Sequence, residues 1–172
     1  MWAAVWPTRL DRMDNVVEMD EVTRHFGGRG ARVVALREVS LAVPAGTFVA
    51  VMGATGSGKS TLLHCAAGLD RPSAGRVRLA GCDITRLREA AVTRLRRDRV
   101  GFVFQAYNLL SELTVRQNVA LPARLGGPRE RDVDEVLATV GLGGLGRRPV
   151  GELSGGQRQR VAIARAAIEA VT

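Results

Sequence analysis

Apolar and polar positions alternate along two early stretches of the chain, residues 16–23 and 33–43. A period of two predicts strands, and Gly27-Gly28-Arg29-Gly30 between them predicts a flexible turn joining an antiparallel pair. Alternation then gives way to Thr47-Phe48-Val49-Ala50-Val51-Met52, a short apolar, β-branched run that reads as a buried strand. Leu62-Leu63-His64-Cys65-Ala66-Ala67 suits a helix, with Gly68 as the residue that closes it. Arg71-Pro72-Ser73-Ala74-Gly75 is a turn, and residues 76–79 are a short strand.

In the second half, residues 83–97 read as a loop leading into a basic helix. Arg94, Arg96, Arg97 and Arg99 gather near its C-terminal end, where solvated positive charge suits the helix dipole. Val100-Gly101-Phe102-Val103-Phe104 predicts another buried strand, ending in Gln105. Residues 109–125 carry apolar positions at helical and loop spacings, and residues 129–140 form an amphipathic helix with Val133, Val136, Leu137 and Val140 on one face. The glycine-rich stretch at residues 141–146 follows a helix rather than a strand, so it reads as a cap and loop instead of a dinucleotide fingerprint. A last helix opens at Leu153-Ser154-Gly155-Gly156-Gln157 and continues through Val161, Ala164 and Ile168.

Composition narrows this picture in a few places. At 172 residues with 46% hydrophobic content, the chain suits one domain with a core of its own. The net charge of +8 is spread along the chain rather than gathered in a tail, which argues against a nucleic-acid partner. Cys65 and Cys82 lack metal-ligand spacing and read as small core residues in a reducing compartment. No run approaches the ~18 apolar residues of a membrane span, and residues 1–6 lack the build of a signal peptide. A cytoplasmic protein is expected, with residues 1–14 a disordered or spurious extension and Met13 an alternative start.

The chemistry centres on Gly53-Ala54-Thr55-Gly56-Ser57-Gly58-Lys59-Ser60-Thr61, which fits the phosphate-loop pattern G-x-x-x-x-G-K-[ST] between a predicted strand and helix. Three glycines let the backbone turn N–H groups toward a polyphosphate without Cβ clashes. The following helix aims its unpaired N–H groups at the same anion. Lys59 supplies a full charge, and the Ser60 hydroxyl can complete a Mg²⁺ shell. Of 25 basic residues 24 are arginine, so the single lysine stands where a compact ammonium is wanted.

A second anion-facing helix terminus is expected at Ser154. Ser154 and Gln157 make an S-x-x-Q capping box, but Gly155 and Gly156 cost ~1 kcal/mol each in a helix. A cap alone does not need them. Paired glycines at a helix start expose N–H groups to something brought close, and an anion is the natural candidate.

Taken together, these motifs resemble the ATP-binding subunits of ABC transporters, from about Val16 to the C-terminus. Gly53 to Thr61 matches the Walker A loop, Gln105 the Q-loop, and Leu153 to Gln157 the LSGGQ signature, continued by the helix from Arg158 to Ala166. Phe26 stands where the family stacks an aromatic residue on adenine, although tyrosine is commoner there. Gly68-Leu69-Asp70-Arg71-Pro72-Ser73-Ala74-Gly75, Asn108-Leu109-Leu110, Leu113-Thr114-Val115 and Asn118-Val119 are similar to the lipoprotein-releasing and macrolide-exporter branch.

The resemblance implies an α/β P-loop NTPase (RecA-like) core with an antiparallel N-terminal β-subdomain and a helical insertion at about 106–160. It implies a head-to-tail pair of subunits that sandwich two ATP–Mg²⁺ between Walker A and signature, driving a separate membrane permease at the inner face of the cell membrane. Lys59 and Gln105 would be catalytic, with Ser60 and Gln105 at the metal.

The family also carries an apolar strand ending in Asp-Glu after the signature helix, and later a switch histidine. Met19-Asp20-Glu21 does not substitute, because it precedes the phosphate loop, and His25 and His64 are out of place for the switch. The reading is therefore of a partial ABC domain over residues 15–172, incomplete at the C-terminus, expected to bind ATP weakly, to hydrolyse little by itself and to be unstable in isolation. The alternatives are a non-hydrolysing nucleotide-binding fragment and an ABC ATPase of the DNA-repair or chromosome-maintenance class. The second needs long coiled-coil insertions, and no sustained heptads occur between Gln105 and Ser154.

Overall fold

The computed structural model describes residues 15–27, 32–125 and 132–169. The predicted extension at residues 1–14 and most of the turn at 27–30 lie outside the described residues. The chain divides into two compact units, Met1–Arg88 and Glu89–Thr172.

The first unit is built on an antiparallel sheet in the order β2-β1-β3-β4. Strand β1 (Asn15–Phe26) pairs with β2 (Val33–Pro44) as the alternation predicted, and with β3 (Ala74–Leu79) on its other edge. Strand β4 (Cys82–Asp83) adds a short edge to β3. Met19, Val22, Leu36, Val77 and Leu79 are buried, together with Cys65 and Ala67 from the segment containing helix α1 (Lys59–Ala66). The register of β1 against β2 shifts in several places, and Glu21 and Glu38 take φ of 48°. Two hydroxyls from the facing strand satisfy the backbone there: Glu21 N–H donates to Ser40 Oγ, and Glu38 N–H to Thr23 Oγ1.

The second unit is helical. It comprises α2 (Glu89–Arg99), α3 (Val115–Arg124), α4 (Val133–Thr139) and α5 (Gly155–Glu169), with a 3₁₀ turn at Val150–Glu152. Its core joins Val115 and Val119 of α3, Leu137 of α4, Val161, Ala164 and Ile168 of α5, and Leu142 and Leu153 from the loops. Val133, Val136 and Val140 pack against that cluster, so the apolar face predicted around α4 is the buried one. The first residues of that predicted helix, 129–131, lie outside the described residues. Residues 141–146 form the expected cap and loop. Leu142 N–H reaches back to Leu137 O at 2.8 Å and Gly141 takes φ of 70°.

Asn118 holds the entry to α3. It is fully buried, accepts from Leu110 N–H at 2.8 Å, and donates to the carbonyls of Leu110, Leu113 and Thr114. Thr114 and Gln117 form a reciprocal capping box on the same turn. The T-x-x-Q spacing could have marked it in advance.

Three expectations are corrected. Residues 47–52 and 100–104 form no ladder among the described residues. Apolar, β-branched sequence favours an extended strand, but a strand exists only where a neighbour takes up its N–H and C=O groups. Phe48 is 95% exposed and Met52 76%, the reverse of the burial expected of them. Residues 100–104 come against α5 instead of pairing: a Cβ on Gly101 would lie 2.2 Å from the Ala166 carbonyl oxygen, so only glycine allows that approach. Cys82, expected in a core, is exposed on the β4 edge, whereas Cys65 is buried as expected.

Candidate functional site

Residues 53–61 fold into a loop that wraps the side chain of its own lysine. Gly56 and Gly58 take φ of 79° and 89°, a region closed to most side chains, and Ser57 N–H donates to Ala54 O at 3.2 Å. A Cβ on Gly58 would fall 2.4 Å from the Ala35 carbonyl oxygen of β2, so this glycine also lets the loop sit on the sheet. Around Gly56, by contrast, a Cβ would meet nothing within 4 Å among the described residues. That side of the loop is open.

The Lys59 ammonium donates to the carbonyls of Gly53 at 2.9 Å and Ala54 at 2.7 Å, with Ser57 Oγ at 3.5 Å. Helix α1 starts at Lys59, and its first backbone bond runs from Leu62 N–H to Gly58 O. The early N–H groups of α1, the glycine turn and the ammonium therefore converge on one exposed spot, which has the chemistry of a polyphosphate cradle. Thr55, Ser60 and Thr61 belong to the same turn, and Ser60 is exposed at the second position of α1. No group of three or more His, Cys, Asp or Glu residues able to hold a metal occurs among the described residues. The exposed Ser60 hydroxyl is an oxygen of the kind that could serve as one protein ligand to a Mg²⁺ carried on phosphate oxygens.

Phe26 ends β1 and is 41% exposed. The Arg24 guanidinium lies over its ring, 4.5 Å from the centroid. Arg24 is held in turn by a two-pronged bond to Asp70, Nη2–Oδ1 at 2.6 Å and Nε–Oδ2 at 3.2 Å. Sequence reasoning singled out Phe26 and missed Arg24. The signal was present, since residues two apart on a strand share a face.

In the second unit, Gln105 begins an exposed turn at residues 105–108. Tyr107 and Asn108 take φ of 62° and 46°, and Arg165 of α5 donates to both of their carbonyls, at 2.8 and 2.7 Å. Helix α5 and the turn that Gln105 begins are thus fastened through one largely buried guanidinium. Nothing in the spacing of the sequence pointed to Arg165.

Ser154 and Gln157 make the predicted capping box: Gln157 N–H donates to Ser154 Oγ at 3.2 Å, and Ser154 N–H to Gln157 Oε1 at 2.9 Å. Gly155 and Gly156 are exposed, and a Cβ on either would meet nothing within 4 Å among the described residues. Neither crowding by the described residues nor backbone conformation requires them to be glycine. Leu153 is buried beneath and anchors the turn.

The arginines predicted near the end of α2 do lie at its C-terminal end, with Arg96, Arg97 and Arg99 in the last turn. Arg96 pairs with Glu89 and Arg97 with Asp98 on an exposed helix, and Arg94 and Arg99 are exposed. No helix among the described residues is long and apolar enough to cross a membrane.

Residues 36–172 match the family model described as ABC transporter. The chain is 47% identical over 156 residues to the macrolide export ATP-binding/permease protein MacB of Marinobacter nauticus, covering 88% of this chain and 24% of that protein. It is 42% identical over 160 residues to the lipoprotein-releasing system ATP-binding protein LolD of Geobacter metallireducens, covering 91% of this chain and 71% of that one. Among solved structures, it resembles a dimeric post-hydrolysis state of the ATP-binding cassette MJ0796 bound to ADP and Pi, with a TM-score of 0.81 and 36% identity. That match covers 89% of this chain and 69% of the other. The chain thus spans about a quarter of the length of the MacB relative and about two thirds of LolD and of the cassette.

Proposed function

Because the chain belongs to the ABC transporter family over residues 36–172, we propose that it is the ATP-binding part of a transporter working with a separate membrane permease. The observation that carries this reading is the pair of helix starts it presents. One, at Lys59, sits in an open glycine cradle. The other, at Ser154, carries two glycines that nothing among the described residues requires.

In this reading Gly53, Ala54, Thr55, Gly56, Ser57 and Gly58 offer backbone N–H groups to the β- and γ-phosphates of ATP. The Lys59 ammonium exchanges its carbonyl partners for phosphate oxygens, which bear far more negative charge. Ser60 orients toward Mg²⁺, and Thr61 completes the turn. Mg²⁺, when bound, neutralises phosphate charge and polarises the terminal phosphoryl group.

Ser154, Gly155, Gly156 and Gln157 face the nucleotide held by a second subunit, in a head-to-tail pair. Open space before the two glycines suits that approach, and the MJ0796 cassette is described as dimeric. Gln105 is proposed as the residue that contacts metal and water, and Phe26 as the one that stacks on adenine. The site works at the inner face of the cell membrane, where the permease docks.

Calorimetric titration of the 1–172 chain with ATP in Mg²⁺ tests the reading, with Lys59→Ala as control. Saturable binding that Lys59→Ala weakens by more than tenfold is expected. Identical titrations for both proteins would overturn it.

A further inference from the structure

Phe26 is backed by a fixed cation. The Arg24 guanidinium covers one face of the ring at 4.5 Å, while Phe26 as a residue remains 41% exposed. Arg24 has little freedom to leave, because Asp70 grips it with two bonds, and both side chains are about three quarters buried, at 23% and 25% exposed. The same junction is pinned twice more: Ser73 N–H donates to Thr23 O at 2.7 Å, and His25 N–H to Ser73 Oγ at 3.2 Å.

Asp70 is itself rigidly placed relative to the phosphate loop. Helix α1 begins at Lys59 and closes on Gly68 at φ 68°, with the N–H groups of Leu69 and Asp70 both returning to His64 O. An eight-residue helix spans about 12 Å, so its two ends stand at a set separation. The loop sits at one end, and Asp70 leaves the other. Through Asp70 and Arg24, the helix that carries the phosphate cradle also fixes the ring.

From this chain of contacts we infer that Arg24, clamped by Asp70, is a positioning residue for nucleobase recognition. It covers one face of Phe26, leaves the other to a flat base, and holds the ring at a constant distance from the phosphate loop. The cation also draws ring electron density toward the covered face, which favours stacking of an electron-rich purine on the other. The inference rests on the ATP-binding reading and adds to it the element that couples base to phosphate recognition.

The test compares ATP with inorganic tripolyphosphate, which has the anion but no base, by calorimetry on the 1–172 chain in Mg²⁺. Arg24→Gln and Asp70→Asn should each weaken ATP about fivefold and leave tripolyphosphate within about twofold. In a Phe26→Leu background, Arg24→Gln should cause no further loss for ATP. Arg24→Lys keeps the charge but not the fork. If Arg24→Gln melts early it serves instead, and it should show the same base-dependent loss.

Equal losses for ATP and tripolyphosphate would mean the clamp merely holds the fold together, and would overturn the inference. So would unchanged ATP binding in every variant, or a further loss on Arg24→Gln in the Phe26→Leu background. A parent chain that binds neither ligand fails one step earlier, at the ATP-binding reading, and takes the inference down with it.

Discussion

Lys59 Nζ lies 2.9 Å from the carbonyl oxygen of Gly53, six residues back along its own loop. The ammonium, with the Ala54 carbonyl as a second acceptor, keeps the loop folded around the spot where a phosphate would sit. Those carbonyls are neutral and exposed, so a polyphosphate outcompetes them without leaving a buried group unpaired. Replacing Lys59 with alanine removes a charge-assisted donor worth about 2–3 kcal/mol. ATP affinity should fall about 30- to 160-fold by calorimetry. Lys59→Arg should fail to restore it, because a planar fork does not fit a site built for a compact ammonium.

Two glycines to alanine are expected to move stability in opposite directions. Gly58→Ala drives a Cβ to 2.4 Å from the Ala35 carbonyl oxygen at a φ of 89°, and should cost about 2–4 kcal/mol in a denaturant melt. Gly155→Ala meets open space in an ordinary helical turn and should raise stability by about 1 kcal/mol. If α5 faces the nucleotide of a second subunit, that more stable variant should also lose ATP-dependent pairing by sedimentation. Retained pairing would argue against the role proposed for the signature glycines.

Asn118 satisfies four backbone groups at the entry to α3 from a fully buried position. Asn118→Ala removes the side-chain bond from all four; Thr114 O still accepts Asn118 N–H and Leu110 O still accepts Leu113 N–H, so the cost should be about 2 kcal/mol. The melt should show that loss, and hydrogen exchange should speed up at residues 110–118 before it does in α5.

The two cysteines should differ sharply toward thiol reagents. Cys82 is exposed, while Cys65 is fully buried and its thiol is pushed up to about 11, by burial first and the nearby Asp70 charge second. One thiol should label in the native chain and two after denaturation. Because the folded thiol holds its proton more tightly than the unfolded one, its contribution to stability is complete below pH 9.0 and is lost as pH climbs toward 11. A Cys65→Ala chain, which lacks that titration, should show a flatter stability profile over the same range.

What the sequence by itself determined is what local geometry dictates. Alternation placed β1 and β2 and their antiparallel pairing, because side chains on a strand change face at every residue. Gly56 and Gly58 marked a left-handed turn, and Ser154 with Gln157 marked a cap, since both depend on residues within a few positions. The ordered motifs identified the family for the same reason. Tertiary structure alone decided the rest. The apolar run at residues 47–52 expressed a preference for burial without naming a partner, and Phe48 ended exposed. Arg24 found Asp70 across 46 positions, and Arg165 found Asn108 across 57. A guanidinium will donate to any acceptor of suitable geometry, and which one it meets is settled only when the packed chain brings that acceptor within reach.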